Sequence, residues 1–283
     1  MKASEMIAKA RNLPTISPAA LELVGLLGRA DTNNEDLVHV LKRDSVLTAK
    51  LLRVCNSPSL KLGQPVASVD QAVLILGHQQ ISQMVMAMSL RGPLAIPLPA
   101  YELEANDLWL HSLMAAEAAE IAVADGLDVG VDSATAFTIG LLHDIGKLIT
   151  SQFHTRQTLI GIYRQLDEGR SAMEAEREVL GTDHAEVGAA LTYIWRLPNL
   201  IVEAIALHHS PITQPQPRPC ALAWFADTVA HRALATQANH DKPVLTGDAE
   251  TFEALGFGAE ELDSLLHKVC EFSAGRDEVL IAA

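Results

Sequence analysis

The sequence predicts an all-α protein of about a dozen helices. Three observations carry this expectation. Apolar residues recur at helical spacing along most of the chain. Residues that favour helix starts stand before these runs, and glycines or prolines stand after them. Strand signals are scarce: aromatic residues make up only 4% of the chain, and no Asn-Gly or Asp-Gly pair joins two alternating runs.

The elements follow in order. Asp44 stands as an N-cap before Leu47, Leu51, Leu52 and Val54, which crowd one side of a helix. Asn56-Ser57 reads as the end of that helix, followed by packing. Ser68 with Gln71 fits a capping box, and the run Ala72–Leu76 stops at Gly77. Gly92-Pro93, Pro97 and Pro99 punctuate a stretch expected to interrupt the helical pattern. This seam divides an N-terminal helical half, residues 1–100, from a second half, residues 101–240. Ser171 with Glu174 repeats the capping-box signal, and Asp183 with Glu186 is a looser version. Pro198 suits a first helical turn. Residues 210–219, with four prolines, and residues 239–247 read as loops. The remainder, residues 241–283, reads as a helical tail packing on the module.

Composition narrows the function. The chain has 283 residues, of which 49% are hydrophobic and 20% charged, which excludes disorder. A chain this long buries roughly three-quarters of its unfolded surface. The net charge of −14 repels phosphate backbones, so nucleic-acid binding is not expected. Cys55, Cys220 and Cys270 are far apart and form no CxxC pair, which suits free thiols in a reducing compartment. The start lacks an apolar run behind basic residues, and no apolar stretch is long enough to span a bilayer. A cytoplasmic protein without membrane segments is expected.

The chemistry lies in the histidines, eleven in all. His39, His78, His154, His231, His240 and His267 read as surface or satisfied core residues, without a partner at a telling spacing. The others stand out. His111 follows Asp107 by four residues, on one helix face. His143-Asp144 lies in Gly-Leu-Leu-His-Asp-Ile-Gly-Lys147, His184 in Gly-Thr-Asp-His-Ala-Glu, and His208-His209 at the end of an apolar helix. Asp227 lies inside another apolar run. Imidazole and carboxylate in apolar surroundings suit a divalent metal held between helices of a bundle. An adjacent His-Asp pair on a helix would differ by about 100° and so border one cleft together. Asp144 could bridge two ions through its two oxygens, with His143 on one of them. Lys147, one turn on, could meet a phosphate. The same residues also have structural readings: a buried Asp can cap a helix, a buried His can donate to a carbonyl, and His208-His209 can close a helix end.

At these residues the chain resembles the HD superfamily of metal-dependent phosphohydrolases, and more closely its HDOD (HD-related output domain) branch of bacterial signalling proteins. The resemblance rests on Leu13-Pro14, Leu51-Leu-Arg-Val-Cys-Asn56-Ser57, Val69–Gly77, Trp109-Leu-His111-Ser112 and Gly140–Lys147. It continues through Leu180–Gly188, Trp195–Pro198 and Ala204–Pro211, so that it covers residues 10–235 in one order. It implies a multi-helix HDOD-like fold with an HD-type helical core in the second half. Carried over by position, His111, His143, Asp144 and Asp227 would hold one metal. His184, His208 and His209 would hold a second, with Asp144 shared. Asp107 stands where the cyclic-dinucleotide branch places an extra acidic ligand. Asp144 and Lys147 would be the catalytic pair of an active enzyme, with Lys147 facing phosphate.

The resemblance implies a signal-transduction output module that acts through a signalling protein partner or a nucleotide-type small ligand. One or two divalent ions (Fe, Mn, Zn or Mg) are the implied cofactors. The alternative is a metal-dependent phosphohydrolase acting on a nucleotide or phosphodiester. The chain departs from the cyclic di-GMP-hydrolysing branch: Ser210-Pro211-Ile212-Thr213 follows the His-His pair, and no Gly-Tyr-Pro occurs.

Overall fold

A computed structural model of the chain describes residues 1–26, 33–58, 60, 62–210, 218–237, 252, 255 and 257–281. The described residues are helical and contain no strand, with only an isolated bridge between Leu98 and Leu103. The predicted loop at 239–247, and all of the loop at 210–219 but its ends, lie outside the described residues.

The N-terminal half is built around one long helix. α1 (Ala3–Lys9), α2 (Pro18–Leu26), α3 (Asn34–Lys42) and α4 (Ser45–Cys55) precede α5 (Val69–Leu94). α2, α3 and α4 all pack on α5. Asp44 caps α4 by accepting the Leu47 N–H at 2.9 Å. Asn56 closes the same helix: its side chain donates to the carbonyls of Leu52 and Val66 and accepts from Val66 N, all at 2.8 Å. That accounts for Asn56 structurally, by pinning the connection to α5. Ser68 caps α5 through Gln71 N, while the Gln71 side chain reaches Ala67 N rather than the cap itself. Gly77 takes φ +78, so the first segment of α5 does end there before the helix resumes.

The seam differs from expectation. α5 runs through Gly92-Pro93 to Leu94. Pro93 lies in the last turn, where its missing N–H forfeits one bond and little helix follows it. The true break is the short stretch from Ala95 to Asn106, with a 3₁₀ turn at Pro99–Tyr101. The seam does not interrupt the core. Ile81, Val85 and Leu94 belong to the same buried apolar cluster as Trp109, Phe137 and Leu141. α1 also crosses over, packing on helices of the second half. The amino terminus of Met1 donates to Leu180 O at 2.7 Å.

The second half comprises α6 (Asp107–Ala124), α7 (Ser133–Leu142), α8 (Lys147–Thr150), α9 (Arg156–Asp167), α10 (Ala172–Leu180), α11 (His184–Ile194), α12 (Asn199–Leu207) and α13 (Arg218–Gln237). α6 packs against α7 and α13, and α11 against α12. Ser171 and Glu174 form the expected capping box of α10, and Asp183 caps α11 through Glu186 N at 2.8 Å. Pro198 stands one position before α12, as its cap residue. A second apolar cluster joins α6 and α13 to α14 (Ala259–Ile281) through Phe225, Val229, Leu265 and Val269.

Candidate metal centre

The motif Gly140–Lys147 meets the backbones of two neighbouring helices. A Cβ on Gly140 would sit 2.4 Å from the backbone oxygen of Ala115 on α6. One on Gly146 would sit 1.9 Å from the backbone oxygen of His184 on α11. Only hydrogen fits at either place, so these two glycines let α6 and α11 close onto the chain that carries His143 and Asp144. Contrary to the expectation from sequence, that pair does not lie within a helix. α7 ends at Leu142, His143 is its C-cap, and Asp144 lies in the turn leading to α8.

The expected side chains converge from five helices. His111 comes from α6, His143 from the end of α7, His184 from the first turn of α11, His208 and His209 from the end of α12, and Asp227 from α13. Their ligand atoms form two groups, each with all atoms within 4.8 Å of one another. One group is His111, His143, Asp144 and Asp227; the other is Asp144, His184, His208 and His209. Asp144 belongs to both, and each of its oxygens serves one group. Oδ2 faces Nε2 of His111 at 3.5 Å and of His143 at 3.4 Å. Oδ1 faces Nε2 of His184 at 3.3 Å and of His208 at 3.7 Å. Asp227 Oδ1 closes the first group, 3.1 Å from His111 and 3.4 Å from His143.

The imidazole orientations are fixed from behind. Nδ1 of His143 donates to Gly140 O and that of His208 to Ile205 O, each at 2.7 Å. Nδ1 of His184 donates to Glu176 Oε2 at 3.0 Å. Each bond turns Nε2 toward Asp144, the arrangement by which outer groups orient metal-binding histidines. Asp144 Oδ1 and His208 Nε2 make no normal hydrogen bond among the described residues, although both are buried. Buried polar atoms of this kind call for a further partner, and a divalent ion among oxygen and nitrogen donors supplies one. The donor set therefore fits such an ion.

Protons balance the centre when no ion is bound. Burial disfavours charge on His143, but the Asp144 and Asp227 carboxylates override it and raise its pKa to about 10. His184 is likewise opposed by burial and raised to about 9 by Glu176 and Asp144. Burial would raise Asp144 and Asp227, yet Lys147 and the histidines hold the first, and the histidines the second, well below the usual carboxylate range. Burial lowers His111 to about 4 and also lowers His208 and His209. Lys147, His143 and His184 thus carry positive charge against Asp144, Asp227 and Glu176. Lys147 Nζ lies 2.5 Å from Asp144 Oδ2. Both ligand groups are buried except at His209, whose side chain is 30% exposed, and Lys147 beside them is 16% exposed.

Asp107 is not part of either group. Its carboxylate accepts the Glu104 N–H at 2.7 Å, securing the approach to α6. Three residues of the site escape the sequence reading. His231 Nε2 lies 3.3 Å from Asp227 Oδ1, and its ring centroid is 4.5 Å from that of His111. The signal was available, since His231 follows Asp227 by four residues on one helix face. Glu176, behind His184, and Tyr101, whose hydroxyl donates to Glu176 Oε1 at 2.8 Å, have no comparable spacing signal.

Comparison with known proteins agrees with this architecture. A solved HDOD domain protein with unknown function from Geobacter sulfurreducens is 25% identical, with a TM-score of 0.72 over 98% of this chain and 96% of that one. An uncharacterized protein of Treponema pallidum (strain Nichols) is 23% identical over 205 residues, 70% of this chain but 38% of that protein. Ribonuclease Y of Thermus thermophilus is 35% identical over 101 residues, 36% of this chain and 12% of the enzyme. The chain thus matches well under half the length of either curated relative. The HDOD domain model matches residues 13–211. That span takes in the bundle around α5 and every candidate ligand from His111 to His209, with Asp227 and His231 beyond it. On that match, with the same helical architecture in its solved relative, the chain belongs to the HDOD domain family.

Proposed function

We propose that this protein is a signal-transduction output module whose HD-type centre holds two divalent ions, one in each ligand group, and presents the result to a protein partner. One observation carries the metal half of this reading: the two oxygens of Asp144 point to different sets of histidines. A carboxylate that only capped a helix or balanced a lysine would not need four imidazole nitrogens around it. The output role draws on membership of the HDOD family. It also draws on Ser210-Pro211 standing in place of the Glu and Gly-Tyr-Pro elements of the cyclic di-GMP-hydrolysing branch.

The test is metal content and affinity of chelator-treated protein reloaded with Mn²⁺, Fe²⁺ or Zn²⁺. Two ions per chain are expected from the two groups, and Asp144→Ala should empty both. Protein that takes up no ion under any of these conditions overturns the reading.

A second reading, metal-dependent phosphohydrolysis, is favoured by Lys147 and by the likeness to ribonuclease Y over 101 residues. Bound divalent ions would supply an acidified water and charge stabilisation at a phosphoryl group. Lys147 would leave Asp144 to bind a phosphoryl oxygen, and His209, at the exposed edge, would border the approach. Turnover of bis(p-nitrophenyl) phosphate or a nucleotide by the metal-loaded chain, lost in Lys147→Met with metal content unchanged, would establish it. A loaded but inert wild type leaves the output reading in place.

A further inference from the structure

Two motifs of the sequence play no part in the metal centre: Leu13-Pro14 and the prolines around the seam. They meet in space. Leu13 and Pro14 form one side of a cavity of about 590 Å³, and Pro93, Ile96, Pro97 and Pro99 form another. The floor comes from α8 and the turn after it, through Leu148, Ser151 and His154.

The lining states what the cavity accepts. One residue in five of this chain is charged, yet no Asp, Glu, Lys or Arg among the described residues lines the cavity. An ion entering there would shed water with no opposite charge to meet it. Four of the lining residues are prolines, which offer no N–H donors and have fixed φ, so much of the wall is stiff and apolar, while Asn12, Thr15, Ser151 and His154 add uncharged polar groups. Gln152 ties the walls together. Its Oε1 accepts from Arg11 N and Asn12 N at 3.0 and 3.1 Å, and its Nε2 donates to Asn12 O and Leu148 O at 2.7 and 2.9 Å. The volume is that of a small-molecule site rather than a packing defect.

The cavity also touches the support of the metal centre. Tyr101 ends the 3₁₀ turn whose first two residues, Pro99 and Ala100, line it. The Tyr101 ring meets the His154 ring edge-on at 5.2 Å. Its hydroxyl bonds Thr150 Oγ1 at 2.5 Å and Glu176 Oε1 at 2.8 Å, and Glu176 in turn orients His184. Leu148 on the floor directly follows Lys147, whose Nζ lies 5.7 Å from the Tyr101 ring centroid.

We propose that this cavity is an effector site for an uncharged, mainly apolar small molecule, and that Tyr101 transmits its occupancy to the His184 side of the metal centre. The transmission half rests on the metal-binding reading above; the binding half does not.

The probe is N-phenyl-1-naphthylamine, a neutral fluorophore, titrated into the full chain with and without Zn²⁺. Saturable one-site binding is expected. Leu13 and Ile96 are 46% and 49% exposed, so Leu13→Glu and Ile96→Lys place a charge on the rim without burying it on folding. Each should weaken binding about tenfold or more. Val46→Lys, at a 67% exposed residue outside the lining, should leave it unchanged. No saturable binding, binding indifferent to both rim charges, or stronger binding of the anionic 1-anilinonaphthalene-8-sulfonate overturns the site. Zn²⁺ should shift probe affinity several-fold, the probe should shift Zn²⁺ affinity by the same factor, and Tyr101→Phe should abolish both shifts. Equal probe affinity in Zn²⁺-loaded and Zn²⁺-free protein overturns transmission while the site stands. A chain that binds the probe but no divalent ion overturns the metal reading and transmission together, and leaves the site intact.

Discussion

Replacing Glu176 with Gln tests whether the centre depends on its outer support. Glu176 is 3% exposed and accepts three hydrogen bonds: His184 N at 2.7 Å, His184 Nδ1 at 3.0 Å and Tyr101 Oη at 2.8 Å. Gln keeps the volume and one acceptor oxygen, which can still meet both His184 donors. Its amide group would face the Tyr101 hydroxyl, which can accept from it and donate to Thr150 instead. What is lost is charge. Bonds to an ionised acceptor exceed neutral ones by about 1 kcal/mol each, so the metal-free protein should lose about 2–3 kcal/mol. Urea unfolding at neutral pH measures this. Metal affinity should fall about 10–100-fold, and only in the group of His184, because the outer carboxylate no longer fixes that ring. Competition with a chelator reads the two affinities. Wild-type affinity in a folded Glu176→Gln protein, or an equal loss in the group of His111, would refute the reasoning.

Three further outcomes are expected. Asp144→Ala leaves Lys147 and the protonated His143 without their shared carboxylate. It should cost the metal-free protein about 3–5 kcal/mol in denaturant melts. Stability of the metal-free protein should peak near neutral pH. His143 and His184 are raised to about 10 and about 9, so their contribution is complete below their unfolded pKa and fades as pH rises through those values. Asp144, Asp227, Glu176 and His111 are lowered, so theirs is present above the unfolded values and fades as pH falls. Thermal melts across this range check both limbs, and a flat profile on the alkaline side would contradict the charges assigned to the two histidines. Gly146→Ala forces a methyl against the His184 carbonyl 1.9 Å away, so it should cost more than about 2 kcal/mol and weaken metal binding. Circular dichroism melts and the chelator assay follow it.

Local features are legible in the residues alone. Asp44, Ser171 and Asp183 begin helices where the pattern says, because a capping side chain bonds an N–H three residues on. Gly77 ends one because its φ is positive. The identities of the candidate ligands are also legible, since polar groups at the ends of apolar runs are costly without partners. Packing between helices decided everything that depends on the distance separating them. It carried α5 through Pro93, placed His143-Asp144 in a turn, set Asp107 apart, and brought Glu176 and Tyr101 behind His184. None of these has a periodic signature, because a side chain's neighbours across a bundle follow from how close the helices approach. Two glycines of the Gly140–Lys147 motif fix that approach here, and they do so by the absence of an atom.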